Sequence, residues 1–242
     1  MNDLNDRQIQ ILKAIIEEYI ETAEPVGSEK MDKKYNLGVS PATIRNEMVK
    51  LTKMGYLKQP HTSAGRTPSP LALKYYVSSL MKPEDLSVAE EVRVKQKLWD
   101  HKDKMDHLLR EATRALASHT KTMSLAATDE GDIYTAGMGN ILEMPEFYDI
   151  DMTRSLLSTL DQYDYWWDLF EKNLPVDGLH VLLGEDLGQT LLNHCGCIFV
   201  KFASPHHQGA IGIIGPQRLD FPHIIPVVRY IGNLVDEISG NL

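Results

Sequence analysis

The strongest constraint on this chain is a helix signal that begins at Ser40. Ser40 is a preferred N-cap residue, and Pro41 falls at the first helical position, where its missing N–H costs nothing. Apolar residues then recur at helical spacing and predict one buried stripe, which consists of Ile44, Met48 and Leu51. The opposite face carries small, polar and basic residues: Ala42, Arg45, Asn46, Val49, Lys50 and Lys53.

A capped helix of this kind suits the major groove of DNA. In that groove an Arg can bind guanine and an Asn can bind adenine, and the first turns of the helix lie nearest the bases. We therefore predict that Thr43, Arg45 and Asn46 face bases. The alternative is an ordinary surface helix with two basic residues, and the neighbouring segments decide between these two interpretations.

The segments before this helix complete a helix-turn-helix pattern. Asn5 is expected to cap a first helix, which Pro25 ends because it lacks a backbone donor. Ser28 is expected to cap a short second helix that runs to about Tyr35, and residues 36–39 form a tight turn. Helix, short helix, turn and helix is the helix-turn-helix plan.

The segment after the helix predicts a β-hairpin of the kind called a wing. We expect residues 56–57 to form a short strand, and the stretch rich in Pro, Ser and Gly that follows to form the hairpin tip. A fourth helix, capped by Ser69, is expected from Pro70 to Met81. The side chains predicted to hold phosphates or enter the minor groove are Ser40, Lys50, Lys53, His61, Thr62, Ser63 and Arg66. The alternative for the tip is a plain surface loop.

The distribution of charge favours a nucleic-acid partner for this part of the chain. The whole chain carries a net charge of −9, but residues 1–82 hold 12 Lys and Arg against 9 Asp and Glu. Residues 83–242 hold 13 against 25, and residues 28–74 hold 9 against 3. A basic block on an otherwise acidic chain is typical of a phosphate-binding surface.

The second part of the chain predicts a long helix followed by a mixed domain. Ser87 is expected to cap a helix that runs to about Ser118, whose apolar stripe either packs on its own domain or pairs with a second copy. Beyond it we expect strands at 124–128, 133–136, 178–183, 197–202 and 209–214. Helices are expected at 153–160, 165–174 and 222–238, the last one starting near Pro226.

Several functional classes are not expected. No window approaches the roughly 18–20 apolar residues of a membrane span, and the polar N-terminal residues predict no signal peptide, so we expect a cytoplasmic protein. Cys195 and Cys197 lie near three histidines, but the Cys-x-Cys spacing fits a zinc site poorly. No phosphate-binding glycine loop or Ser/His/Asp arrangement is present. We therefore predict no metal, no cofactor and no enzymatic activity; Trp166 and Trp167 either line a ligand pocket or pack.

Three motifs of the N-terminal part, in this order, resemble the bacterial heat-inducible transcription repressor family of the HrcA type. They are PVGS at 25–28, SPATIRNEM at 40–48 and PHTSAGR at 60–66, and YYV at 75–77 is also similar. The C-terminal part agrees through GNIL at 139–142, PEF at 145–147, LGE at 183–185 and GAIGIIGPQR at 209–218. The resemblance therefore covers most of the chain.

The resemblance implies a dimeric repressor of chaperone operons that binds an inverted-repeat operator and whose activity the GroEL chaperonin tunes. It also implies an α+β fold with an N-terminal winged helix-turn-helix domain at 1–82, a linker and long connecting helix at 83–121, and a GAF-like regulatory and dimerisation domain at 122–242. One departure from the family is expected: residues 129–132 form a short turn where the family carries an inserted dimerisation domain, so that domain and some strands are absent. A winged-helix regulator that binds a small metabolite in its C-terminal domain is the alternative function.

Overall fold

The chain divides into two units, Met1–Lys82 and Pro83–Leu242. The structure, a computed structural model, describes residues 4–172 and 178–240. Both units mix helices with antiparallel strands, so the predicted α+β class is confirmed. None of the helices in the described ranges is long and apolar enough to cross a membrane.

The first unit begins with three helices: α1 (Asp6–Thr22), α2 (Ser28–Tyr35) and α3 (Pro41–Lys53). Asn5 caps α1 as predicted, and its side chain accepts a hydrogen bond from the Gln8 amide at 3.0 Å. The prediction that Ser28 caps α2 is wrong by one position. Gly27 has the extended backbone of the N-cap, and Ser28 is the first helical residue and is buried.

A two-stranded hairpin and a fourth helix complete this unit. Strand β1 (Leu57–Lys58) pairs with β2 (Thr67–Pro68), and helix α4 (Pro70–Tyr75) continues as a π-helix over Tyr76–Leu80. Ser69 caps α4 as predicted. The three-helix core contains apolar side chains with no exposed surface: Ile11, Leu12, Ile15, Ile16, Met31, Ile44 and Leu51.

A buried carboxylate joins α1 to α2. Glu18 of α1 is inaccessible to solvent, and its oxygens lie 2.6 Å from the ammonium groups of Lys30 and Lys34 and 2.9 Å from the Tyr35 hydroxyl. Burial alone would raise the pKa of Glu18, but the hydrogen bonds from these three partners lower it to about 2. The charged carboxylate is therefore a structural element of this unit.

We expect Glu18→Gln to lower the free energy of unfolding by about 2 kcal/mol near pH 7, because a neutral amide replaces a buried charge with three partners. The folded pKa lies below the ordinary value of 4.5, so this stabilisation is present above pH 4.5 and is lost as the pH falls towards 2. Urea unfolding of both proteins at pH 7 and pH 3 measures the difference. A gap between the two proteins that does not narrow at pH 3 would contradict the assignment.

The second unit is built on a five-stranded antiparallel sheet. Its strands are β3 (Met123–Thr128), β4 (Ile133–Ala136), β5 (Leu179–Leu183), β6 (Cys195–Ala203) and β7 (Gln208–Pro216). Their order across the sheet is β4-β3-β7-β6-β5, so the two longest strands lie in the interior. The five predicted strands are confirmed within one residue at each end, except that β6 begins two residues earlier and β7 ends two residues later. The predicted turn at 129–132 joins β3 directly to β4.

Helices cover both faces of this sheet. They are α5 (Val88–Trp99), α6 (Met105–Thr120), the short α7 (Met138–Ile141), α8 (Ile150–Leu160), α9 (Tyr163–Glu171) and α10 (Phe221–Ser239). Helices α6 and α10 pack on the sheet and on each other, and α5 packs on both of them. On the other face α7, α8 and α9 share a core with the sheet, whose largest members are Trp166, Phe170 and Phe199. These layers give the unit its α+β form.

The prediction of one long helix from Ser87 to about Ser118 is wrong. Ser87 caps α5 as expected, but α5 ends at Trp99 and α6 starts at Met105. The five residues between them are all polar or charged and offer nothing to bury, so the chain turns and α6 packs against α5. The apolar stripe is buried within its own unit, since Val94, Leu98, Leu109, Ala112 and Leu116 have almost no exposed surface.

Three other helix boundaries also differ from the prediction. Helix α10 does not begin near Pro226, which lies inside it. Pro226 has no N–H for the Pro222 carbonyl, and that carbonyl instead accepts a hydrogen bond from the Glu84 amide at 2.9 Å. Helix α8 begins three residues before the predicted 153 because Asp149 caps it, and α9 begins two before 165. The predicted end of α9 at Leu174 lies outside the described residues.

Candidate nucleic-acid interface

Helix α3 is fixed to the first unit by the stripe that the sequence predicts. Ser40 caps it, Pro41 is its first residue, and Ile44, Met48 and Leu51 are buried. The sequence did not predict a polar contact that also fixes the helix: the buried carboxylate of Glu47 accepts a hydrogen bond from the Gln8 side chain of α1 at 3.1 Å. The rotation of α3 about its axis is thereby set by apolar packing and by one polar contact.

Lys50 is part of this polar contact. Its ammonium group lies 2.7 Å from the Glu47 carboxylate, and this hydrogen bond, assisted by the one from Gln8, lowers the pKa of Glu47 although burial opposes it. The Lys50 side chain is still more than half exposed. Lys50 therefore has an intramolecular partner that a bound phosphate must share or displace.

The outer face of α3 presents side chains that have no partner. Arg45, Asn46 and Lys53 are exposed, and among the described residues none of the three forms a side-chain hydrogen bond or an ion pair. Val49 is also exposed, at 38%. This face therefore offers a guanidinium, an amide, an ammonium and an apolar surface to a partner.

The first turn of α3 uses its hydroxyl groups locally. Ser40 Oγ accepts a hydrogen bond from the Thr43 amide at 3.3 Å and lies 3.0 Å from Thr43 Oγ1. Thr43 is half-buried and Ser40 is exposed. The predicted roles of Thr43 at a base and Ser40 at a phosphate stay predictions, and either contact would be made by groups that already bond each other.

The hairpin tip is held in a compact shape. The Gln59 side-chain amide donates to the carbonyl oxygens of Thr62 at 2.9 Å and Ala64 at 3.2 Å. His61, Thr62 and Ser63 remain exposed at the outer end. Gln59 was not among the predicted site residues, and its position in the sequence gave no sign that its amide would close the tip.

Arg66 holds the hairpin in place. Its backbone N–H and C=O both pair with Val26 at 2.9 Å, and its Nε donates to Thr52 Oγ1 of α3 at 3.2 Å. The side chain is half-buried. The predicted contact of Arg66 with DNA stays a prediction, and the structure gives this residue a second task, which is to join the hairpin to α3 and to the segment before α2.

Gly65 allows this close approach. A Cβ atom at position 65 would lie against the backbone carbonyl of Val26. The sequence places a glycine in the tip, but the need for it comes from a segment about forty residues earlier in the chain, which no local pattern reveals. Gly65 is therefore a residue of the candidate site that sequence reasoning missed.

Helix α3 and the hairpin tip face one open cleft of about 500 Å³. The side chains that α3 contributes are Arg45, Met48 and Val49. The tip contributes Gln59, Thr62, Ser63 and Arg66. One predicted base-reading residue, Arg45, thus shares this cleft with three predicted backbone-binding residues of the tip. The other predicted site residues do not line the cleft: Ser40, Thr43, Asn46, Lys50, Lys53 and His61.

The two cysteines of the second unit lie in its core. Cys195 and Cys197 are buried in β6, and burial raises the pKa of both thiols, that of Cys195 to about 12. In the parts of the chain that the structure describes, no cluster of three His, Cys, Asp or Glu side chains is arranged to hold a metal ion. Trp166 is packed in the core, with its indole N–H donating to the Thr159 carbonyl at 2.9 Å.

A family profile described as "HrcA protein C terminal domain" matches residues 74–225, which is more than half of the chain. The chain belongs to the HrcA family. Among similar relatives, the heat-inducible transcription repressor HrcA of Symbiobacterium thermophilum is 26% identical, covering 98% of this chain and 99% of the relative. The protein of the same name from Desulforamulus reducens is 28% identical, covering 97% and 98%.

One solved structure shares the fold of this HrcA-family chain. A crystal structure described as that of a hypothetical protein superposes with a TM-score of 0.78 at 20% sequence identity, covering 99% of both chains. At this identity the likeness establishes the fold alone.

This HrcA-family chain is shorter than the relatives it matches. The alignment with the Symbiobacterium protein spans 337 positions, whereas this chain has 242 residues, so at least 95 aligned positions have no counterpart here. This agrees with the expectation of a shortened form.

Proposed function

We propose that this chain is a DNA-binding repressor of heat-shock chaperone genes, with α3 as the reading helix and the hairpin as its wing. Membership of the HrcA family supports the assignment of heat-shock chaperone genes as the targets. The single observation that carries the DNA contact is the outer face of α3, where Arg45 and Asn46 are exposed without a side-chain partner among the described residues and Arg45 lines the cleft that the hairpin tip faces. A planar guanidinium and an amide suit the edges of guanine and adenine in the major groove.

The proposal includes a homodimer on an inverted repeat. Two reading helices would then occupy half-sites about one helical turn apart, or a multiple of it. The apolar stripe of α5 and α6, which was one candidate for the dimer contact, is already buried within its own unit. The dimer therefore requires another surface of the chain.

The most direct test is DNase footprinting on the chaperone-operon promoters of the source organism. We expect protection of a symmetric site, and binding that weakens steeply with salt because phosphate contacts release counterions. Absence of protection, together with equal affinity for random DNA, would overturn the proposal.

A second experiment separates two ways of switching the repressor. If a GroEL-type chaperonin tunes activity, as the family resemblance implies, a pull-down should recover it and its addition should raise operator occupancy. If a small metabolite acts on the second unit, a thermal-shift screen should find a stabilising ligand and the chaperonin should have no effect. The first result would make the chaperonin the main regulator of the repressor. The second result would make the metabolite its main regulator.

Val49 extends the base-reading set. It is the exposed apolar residue of α3 that lines the cleft beside Arg45, and an apolar side chain in the major groove contacts the methyl group of thymine. We expect one thymine-to-uracil replacement in the site to weaken wild-type binding about fourfold, from roughly 0.8 kcal/mol per methyl group. Val49→Ala should bind both sites alike in a fluorescence-anisotropy titration. If the thymine-to-uracil replacement weakened binding of Val49→Ala as much as binding of the wild type, the methyl group would be contacted by a residue other than Val49.

A further inference from the structure

The cationic side chains of the second unit are concentrated in the segment that contains α5 and α6. Residues 83–242 contain 13 Lys and Arg and 25 Asp and Glu, yet eight of those 13 cations fall within residues 93–121, against four acidic residues there. This segment spans most of α5 and all of α6. A local positive charge on a strongly acidic unit attracts anions to this part of its surface.

An open cleft of about 460 Å³ lies between these helices. Val94 and Ala115, which are buried, contribute apolar surface, and Ser118 and His119 add polar groups from α6. The volume falls within the range typical of small-molecule sites. The cleft is therefore large enough for a ligand of nucleotide size.

Three cationic side chains line the cleft, together with the carboxylate of Glu111. Arg93 and Lys97 stand one turn apart on α5, and Arg114 stands opposite on α6. Arg114 is paired with Glu111 at 2.5 Å. Arg93 bonds only the carbonyl oxygen of Ala89, and Lys97 has no side-chain partner among the described residues. Two of the three charges are thus left without a carboxylate.

We propose that this α5–α6 cleft binds a small molecule that carries two or more phosphate groups. Arg93 and Lys97 would pair with the phosphates, Arg114 would share its guanidinium between Glu111 and the ligand, and Val94 and Ala115 would contact its less polar part. Guanidinium and ammonium groups are the side chains that proteins use for phosphate. The site lies within the second unit, so the proposal does not depend on DNA binding by the first.

The test uses the full chain, with inorganic pyrophosphate and ATP as probes in thermal-shift and calorimetric titrations at constant ionic strength. We expect a saturable rise in Tm for the wild-type protein, because a ligand that binds the folded state stabilises it. The double variant Arg93→Ala/Lys97→Ala should lose at least about tenfold in affinity, since it removes two of the charged groups that would pair with the phosphates.

The matched control is Lys102→Ala/Lys104→Ala, which removes the same charge from the same segment but outside the cleft. It should bind the probes as the wild type does. The single variant Lys97→Glu, at an exposed position, provides a second reading should the double variant fold poorly. Absence of saturable binding, equal weakening in the cleft and control variants, or binding of duplex DNA without binding of either probe would each overturn the proposal.

Discussion

Arg45→Ala is expected to weaken binding to the specific DNA site by about 1–3 kcal/mol, roughly 5- to 150-fold, while leaving affinity for random DNA almost unchanged. The reason is positional: Arg45 lies in the first turns of α3, is exposed, and lines the cleft that the hairpin tip also faces. Because no residue in the described ranges binds the guanidinium, its removal orphans no partner among them. The expected loss therefore reports the DNA contact itself.

The matched control for this prediction is Lys53→Ala. Lys53 is exposed in the last turn of the same helix and also lacks a partner among the described residues, so its loss should weaken all sequences alike. Anisotropy titrations of both variants on specific and random duplexes give the four affinities needed. Equal losses for Arg45→Ala on the two duplexes would remove its base-reading role.

Gly65→Val is expected to destabilise the first unit by about 2–3 kcal/mol and to abolish specific DNA binding. The new side chain would be forced into the Val26 backbone, to which Arg66 is hydrogen-bonded in both directions. The hairpin must then move away from α3, and the Arg66–Thr52 contact is lost with it. Denaturant unfolding and DNA titration measure the two effects separately.

Gly27→Ala controls for glycine replacement in the same neighbourhood. Gly27 follows Val26 and lines the same cleft, but a Cβ atom there meets nothing within 4 Å and its φ of −95° suits any residue. Its cost should stay below about 1 kcal/mol, the value of a changed helix cap. If Gly65→Val proved as mild as Gly27→Ala, the close approach of the two segments would not constrain the hairpin.

Local signals in the sequence were sufficient for α3. Its cap, its first-turn proline and its apolar stripe all lie in or next to the helix itself. Each of them can therefore be recognised without knowledge of any other segment. The strands of the second unit were predicted for a similar reason, since the inner ones are buried on both faces and read as runs of apolar and branched residues.

The break between α5 and α6 could not be read in this way. Leu98 and Met105 are seven residues apart, so the apolar spacing continues across the break as it would in one helix. Only the packing of α6 back onto α5 distinguishes the two arrangements. At Pro226 the sequence predicted a helix start where the structure has a continuous helix. The proline is tolerated because the Pro222 carbonyl, which it leaves unpaired, accepts a hydrogen bond from the Glu84 amide, far away in the sequence.

In the candidate site, too, some features follow from local sequence and others depend on contacts between distant segments. Exposure of Arg45 and Asn46 follows from the helical period, and exposure of the tip follows from its composition. The inward position of the Arg66 side chain and the need for glycine at 65 depend on Val26 and Thr52. These are contacts between segments, and a single sequence carries no local record of them.

The buried carboxylates of the first unit limit how many cations are available to release counterions from DNA. Of the nine Lys and Arg in residues 28–74, Lys30 and Lys34 are bound by Glu18, and Lys50 is bound by Glu47. If these three stay with their carboxylates when DNA binds, at most six of the nine remain for phosphates in each copy. The logarithm of the affinity should consequently fall against the logarithm of salt concentration with a slope no steeper than about −5 per copy, rather than the roughly −8 that nine cations would give.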